Sequence, residues 1–384
     1  MKLRSFEILR QRPAPALEPP AGRPPRKPAG GVPFPIHRYP EFARTPATTP
    51  GEVSGEFWVR ITAENGETGL GHSHWGDLAA PAVRFFASLL EGRDAFATEL
   101  HNDLMWRAAQ RFGATRIASL ARSAIDLALW DLKGRLLGQP VYRLLGGPVR
   151  DHLDCYFTGG DVEWGIELGF KAFKMRNSAH HSDGLAGVNR LEDEVAAMRE
   201  RVGADAELML NPVMSFTLDY AVRVFDRLAP YRLRWIEEPL MPHDIDGLVA
   251  LKRAVPTVPL ATGEDHHGRH AFRELVQRGA ADVIQPDIRW AGGLTETLKI
   301  YAIAEAAGIP TSVHGGGGMP AGQHFALALP EAEPCEFVVR TPAGVPLEQA
   351  RRIPGMPVPV EGRIMPSDAP GFGYEFGAEA FEPW

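Results

Sequence analysis

Residues 1–12 (MKLRSFEILRQR) alternate between apolar and polar side chains, the two-residue period of a half-buried strand. Residues 55–71 (GEFWVRITAENGETGLG) alternate again and break at Asn65-Gly66, a hairpin turn signal, before a short second strand. From Ala79 to Leu137 the period becomes helical. Ile125, Ala128, Leu129, Leu132 and Leu136 lie on one face, and Gly138 with Pro140 supplies a stop. Residues 13–40 hold ten prolines together with Arg23, Arg26, Lys27 and Arg38, which excludes a central strand or helix there and predicts a solvated loop, with a functional lid as the alternative. The first 130 residues therefore read as an α+β module.

After Gly147 short apolar runs alternate with amphipathic stretches. The runs start at Leu153, Phe170, Ala206, Leu233, Pro259, Asp282, Pro310 and Cys335. Helix candidates fall at 191–202, 219–228, 245–254, 269–278 and 295–307. Parallel neighbours need a crossover connection, so strand–helix repetition predicts a parallel sheet. Eight runs at this spacing fit a (β/α)8 barrel over 131–340 better than an open sheet. Residues 341–384, rich in Pro and Gly, are expected to fold back on the first module.

Composition narrows the class of function. Of 384 residues, 44% are hydrophobic and 23% charged, as in ordinary globular proteins, so disorder is excluded as the main state. Gly 40 and Pro 34 together exceed the usual share and imply many loops between short elements. The net charge of -7 argues against nucleic acid or an anionic membrane as partner. Two cysteines, Cys155 and Cys335, cannot build a disulfide framework or a four-thiolate zinc site, which fits a cytoplasmic home. No secretory signal is visible in residues 1–16, and no apolar run is long enough to span a membrane.

The chemistry is concentrated where the strand runs end. Lys174 and Arg176, Asn211, Glu237 and Glu238, Glu264 and Asp265, Asp287, His314 and Glu336 each close an apolar run. From Asn211 to His314 they recur every 23 to 27 residues, one barrel unit each. C-terminal strand ends of such a barrel surround one mouth, so these side chains should converge. Charged residues are almost never buried unpaired, and a cation would compensate them. Asn211, Glu237 and Glu264 offer oxygen donors only, which suits Mg²⁺ rather than zinc. Glu238 should point the other way, since strand side chains alternate, into a salt bridge or a supporting contact. Asp287 bonded to one ring nitrogen would make the other nitrogen of His314 a general base. Gly315 to Gly318 would let a ligand approach the backbone, and His266, just past a strand end, could line the pocket.

Long stretches also resemble a known family: AENGETGLG from Ala63, AIDLALWDLKGRLLGQPVYRLLGGPVRD from Ala124, WIEEPL from Trp235, GEDHHG from Gly263, QPDIRWAGGLTE from Gln285, and PVPVEGRI with PGFGYEF near the end. In these the chain resembles the enolase superfamily, mandelate racemase-like subgroup, and most of all its L-rhamnonate dehydratase-like acid sugar dehydratases. The resemblance implies an N-terminal α+β capping domain, completed by the C-terminal tail, over a modified (β/α)8 barrel. It implies Mg²⁺ held by Asn211, Glu237 and Glu264, and a His314–Asp287 dyad. It implies substrate contacts from Glu336 and from Arg44 in a cap loop, with Lys174 and Arg176 at the subgroup's Lys-x-Lys position. The family usually has Asp where this chain has Asn211, which lowers the ligand charge and should weaken Mg²⁺ binding.

The expected reaction removes the proton beside a substrate carboxylate and eliminates water, giving a 2-keto-3-deoxy sugar acid. A Lys or His base working with Mg²⁺ is the general pattern of enolase-superfamily sites. Racemisation, epimerisation or cycloisomerisation at the same site is the alternative, with Lys174 as a second base. A barrel that binds a ligand without turning it over is another, suggested by Asn211. A homo-oligomer is expected.

Overall fold

The computed structural model describes residues 1–13, 17, 33–39, 41–42, 55–332, 334–350 and 353–384. Arg44 lies outside the described residues. The amino-terminal strands are β1 (Leu3–Gln11), β2 (Phe57–Ala63) and β3 (Thr68–Ser73), antiparallel in that order. Helices α1 (Gly76–Leu90), α2 (Thr98–Ala108) and α3 (Ile117–Leu137) cover one face. Gly138 ends α3 in the left-handed region, as the stop signal predicts.

Every residue of α3 from Ala118 to Leu132 is buried, because the helix lies between the cap sheet and the barrel. Strand β3 can approach it closely only through glycine. A Cβ on Gly71 would sit 2.2 Å from the Ala124 carbonyl oxygen, and one on Gly69 2.2 Å from that of Ala128. The buried Asp131 of α3 accepts the backbone N–H of Leu70 at 2.9 Å and of Phe372 at 2.8 Å, joining strand, helix and tail. Since α3 runs unbroken from residue 117 to 137, a boundary drawn at 130 cuts this helix.

The barrel follows. Its strands are β4 (Leu153–Thr158), β5 (Ala172–Arg176), β6 (Glu207–Asn211), β7 (Trp235–Glu237), β8 (Leu260–Thr262), β9 (Val283–Ile284) and β10 (Cys335–Val338). They are parallel neighbours in chain order, and β10 returns to pair with β4. The apolar run from Pro310 adds no strand of its own. Thr311 instead bridges Ile284 on one side and Ala332 on the other, closing the ring. Inside it, Tyr156, Met209, Trp235, Ala261 and Val283 form a small packed cluster.

Outside run α4 (Val141–Leu144), α5 (Val162–Glu167), α6 (Gly184–Val202), α7 (Leu218–Leu228), α8 (Ile245–Ala254), α9 (Gly268–Gln277), α10 (Leu294–Glu305) and α11 (Pro320–Ala328). Helix α11 gives no periodic signal because all nine of its residues are buried, so it has no polar face. The tail adds β11 (Arg363–Ile364), paired with β4, and β12 (Phe381–Pro383), paired with β1. It therefore ties barrel to cap. No helix among the described residues is long and apolar enough to cross a membrane.

Replacing Gly71 with Ala forces the added methyl into the α3 backbone. The expected cost is about 1–3 kcal/mol of stability, the usual range for overpacking, measured by urea unfolding. An unchanged midpoint would show that strand and helix separate freely.

Candidate active site

Parallel pairing puts the carboxyl ends of β4 to β10 around one mouth. The register sets Thr158 beside Lys174 and Arg176 beside Asn211. Lys174 is 4% exposed, with its Nζ 2.6 Å from Glu237 Oε1 and 2.7 Å from Glu336 Oε1. Burial would lower its pKa. The two carboxylates outweigh burial and hold the ammonium well above the usual lysine range.

Glu237 is buried and takes four N–H donors. Its Oε1 accepts from Lys174 and from Asn211 Nδ2 at 2.6 Å each, and its Oε2 from Trp235 Nε1 and Gln285 Nε2 at 2.9 Å each. The side-chain oxygen of Asn211 is engaged elsewhere, accepting the Val213 N–H at 2.7 Å. Glu264 is more open, with a fifth of its side chain exposed. Burial pushes its carboxyl up to about 7, with His314 and Lys174 opposing.

Glu238 follows the last residue of β7 and adopts φ 46°, so strand alternation does not set its direction. It accepts from Thr262 Oγ1 at 2.6 Å and Gly263 N–H at 2.7 Å, and its Oε2 has no hydrogen-bond partner among the described residues. No salt bridge to it forms among the described residues; of the two roles expected of it, the supporting contact is the one present. Burial, then the nearby Glu264, raises its carboxyl to about 8, which favours the neutral acid.

His314 Nδ1 is 2.9 Å from Asp287 Oδ2. Asp287 is fully buried and also binds Arg289 through Nη2 at 2.6 Å, Nε at 3.1 Å and the backbone N–H at 2.7 Å. An ionised Asp287 can only accept, so Nδ1 carries the proton and Nε2 is left as the basic nitrogen. Nε2 faces Glu264 at 3.4 Å and Glu336 at 4.0 Å. Burial would lower the imidazole pKa, but Glu264, the Asp287 hydrogen bond and Glu336 raise it to about 9. Glu336 Oε1 also accepts from Thr158 Oγ1 at 2.6 Å, and its Oε2 from the Gly315 N–H at 2.9 Å. Gly315 can aim that N–H because it adopts φ 61°, a region open to glycine.

The mouth thus gathers Lys174, Asn211, Glu237, Glu264, Asp287, His314 and Glu336. Arg176 stands at the same end of β5, exposed. His266 is 5% exposed and packs against Phe272, apart from the residues lining the cavity described below. The sequence pattern does not single out Thr158, Trp235, Gln285 and Arg289. All four lie within or beside the quoted runs, but strand-end polarity alone does not show that they clamp the acids.

A cavity of about 320 Å³ opens beside His314. Glu56, His74 and Arg289 form a polar wall, and Leu347, Ile353, Met356 and Val358 of the tail an apolar one. Glu56 and His74 come from the cap, where their nitrogen–oxygen separation is 3.3 Å.

No group of three or more His, Cys, Asp or Glu side chains among the described residues gathers closely enough to hold a metal ion. Glu237 and Glu264 nevertheless fit a hard divalent cation. Both are carboxylates on adjacent strand ends, and burial holds Glu264 up towards neutrality, a cost that a bound cation would relieve. Asn211 as placed turns its amide hydrogens, not its oxygen, toward Glu237.

Residues 162–380 match the enolase C-terminal domain-like family, and residues 49–146 match the mandelate racemase / muconate lactonizing enzyme N-terminal domain. The chain is 36% identical over 353 residues to an L-rhamnonate dehydratase of Saccharopolyspora erythraea, covering 91% of this chain and 90% of that one. It is similar to the crystal structure of rhamnonate dehydratase from Gibberella zeae complexed with Mg, at 30% identity and a TM-score of 0.89, covering 100% of this chain and 96% of that one. The 3,6-anhydro-D-galactonate cycloisomerase of Zobellia galactanivorans is 27% identical, with a TM-score of 0.75 over 85% of this chain and 94% of that one.

Lys174→Met leaves Glu237 and Glu336 buried without their ammonium. Removing one partner of a buried pair costs about 3–5 kcal/mol. Denaturant unfolding should register that loss; a midpoint equal to wild type would mean the lysine is not the counter-charge of these acids.

Proposed function

The chain belongs to the enolase superfamily, in its mandelate racemase / muconate lactonizing enzyme group, and on that premise we propose that it is a Mg²⁺-dependent acid sugar dehydratase. Its substrate is L-rhamnonate or a similar sugar acid, and its product the 2-keto-3-deoxy acid. The observation that carries this reading is the 2.9 Å contact between His314 Nδ1 and Asp287, which leaves Nε2 facing the carboxylate-lined mouth and the cavity.

When bound, Mg²⁺ supplies positive charge beside the substrate carboxylate, where negative charge builds up as the adjacent proton leaves. Glu237 and Glu264 would hold it, with Asn211 beside them. In its neutral form, His314 takes the proton from C2 on Nε2 while Asp287 keeps the Nδ1 proton in place. The electron pair from the broken C2–H bond forms a C2–C3 double bond, and the C3–O bond breaks. The imidazolium returns its proton to that oxygen, which leaves as water, and the enol product tautomerises to the ketone. Positioned acid–base catalysis contributes about 10²–10⁴-fold. Lys174 spends two hydrogens on Glu237 and Glu336 and has a third for the substrate carboxylate. Arg176 lies at the same rim for a substrate oxygen.

The cavity accommodates the rest of the sugar. Its apolar wall from the tail suits the terminal methyl of a 6-deoxy acid, and Glu56, His74 and Arg289 suit the hydroxyls. Racemisation needs a second base opposite His314. Lys174 is held as an ammonium by two carboxylates, so that alternative has less support. The reading includes a cytoplasmic location, consistent with two free buried cysteines, and a homo-oligomer, for which the exposed, edge-packed Phe85 and Phe112 of the cap offer an apolar face.

Screening acid sugars with Mg²⁺ for keto-acid release tests the proposal. L-Rhamnonate or a 6-deoxy relative should be dehydrated by wild type. His314→Asn should keep the fold, by circular dichroism, and lose at least ~10²-fold in turnover. Excess chelator should stop turnover, and added Mg²⁺ should restore it. Full turnover in the variant removes His314 as the base; full turnover in chelator removes the metal.

A further inference from the structure

The turn after β6 is strained. Val213 and Met214 adopt φ 52° and 58°, a left-handed region that a β-branched residue rarely enters. Within this turn the Val213 N–H donates to the side chain of Asn211, 2.7 Å from Oδ1. The backbone donor therefore decides which way the amide faces. With its oxygen taken, Asn211 turns Nδ2 toward Glu237 and donates at 2.6 Å. An ionised carboxylate has about four acceptor sites. Lys174, Asn211, Trp235 and Gln285 provide four donors to Glu237.

We propose that Asn211 acts as an internal substitute for the cation. Its amide completes the hydrogen-bond shell of Glu237, so the mouth is stable without metal, and Mg²⁺ binds only when that amide is displaced from Glu237. The inference rests on the reading of this mouth as a Mg²⁺ site. An aspartate at position 211 would behave in the opposite way. One oxygen would still accept from Val213, and the other would lie where Nδ2 now lies, against Glu237 Oε1. Two carboxylate oxygens at that separation cannot both stay ionised unless a cation or proton lies between them. Aspartate makes the site demand a metal, whereas asparagine lets it do without one. Asn211 is thus a positioning residue acting through Glu237, and the consequence is a weak, displaceable metal.

The test uses the full chain after chelator treatment, titrated with Mg²⁺ and with Mn²⁺ by calorimetry. Asn211→Asp should bind both ions at least tenfold more tightly than wild type. Metal-free Asn211→Asp should melt below metal-free wild type and regain stability on adding Mg²⁺, while the wild-type melting temperature moves less. Wild-type affinity equal to or tighter than that of the variant would overturn the inference, as would equal melting temperatures of the two metal-free proteins. A second readout needs no variant. In wild type labelled at asparagine, the Asn211 side-chain amide protons should be protected from exchange without metal and lose that protection at saturating Mg²⁺. Unchanged protection at saturation would sink the displacement. If neither protein binds either ion, the metal-site reading itself fails; if wild type binds tightly and the amide stays in place, that reading stands and only the inference falls.

Discussion

Everything at the barrel mouth depends on how buried negative charge is compensated. Glu237, Glu264, Asp287 and Glu336 all open on this region, and taking carboxylates out of water is costly unless each is paired or fully hydrogen-bonded. Lys174 bridges Glu237 and Glu336, while Arg289 and His314 share Asp287. Glu264 is left with the least support, facing only the imidazole at 3.4 Å among its ion-pair contacts with the described residues. Its carboxyl, raised by burial, marks where positive charge is still wanted. The His314–Asp287 contact and the Glu264 carboxylate are thus two parts of one electrostatic arrangement.

That arrangement needs a rigid frame, since positioned chemistry fails when side chains drift. The frame comes from helix α3 and the tail. Asp126 accepts the Thr295 N–H at 2.9 Å, and Trp130 Nε1 donates to Thr295 Oγ1 at 2.9 Å, pinning the cap to the start of α10. The loop between β9 and α10 carries Asp287 and Arg289, so cap docking also steadies the residues that orient His314. Asp131 binds the cap strand and the tail together, and β12 extends the cap sheet. The cavity beside His314 has walls from all three parts, so its shape follows from their docking.

The departure from the usual aspartate at position 211 is structural as well as electrostatic. The amide does not simply lose a charge. It changes from acceptor to donor toward Glu237, because the Val213 N–H in the turn after β6 claims its oxygen. A donor count by residue type treats asparagine as an oxygen ligand, and only the direction of the Val213 N–H reveals otherwise.

Periodicity alone is enough for the barrel units, the hairpin and the stop at Gly138, because half-buried strands and amphipathic helices write their environment into the order of residues. Helix α11 escapes because it is buried on every side, and Thr311 contributes a bridge rather than a strand. Polar residues ending apolar runs mark Lys174, Glu237, Glu264, Asp287, His314 and Glu336, since such side chains survive at strand ends only when something meets them there. What only the tertiary structure decided is direction. It put Arg289 on Asp287, held His266 against Phe272, set Glu238 against Thr262 and Gly263 and turned Asn211 toward its neighbour. Those outcomes depend on which backbone N–H or side chain arrives from another strand, and local sequence holds no record of that meeting.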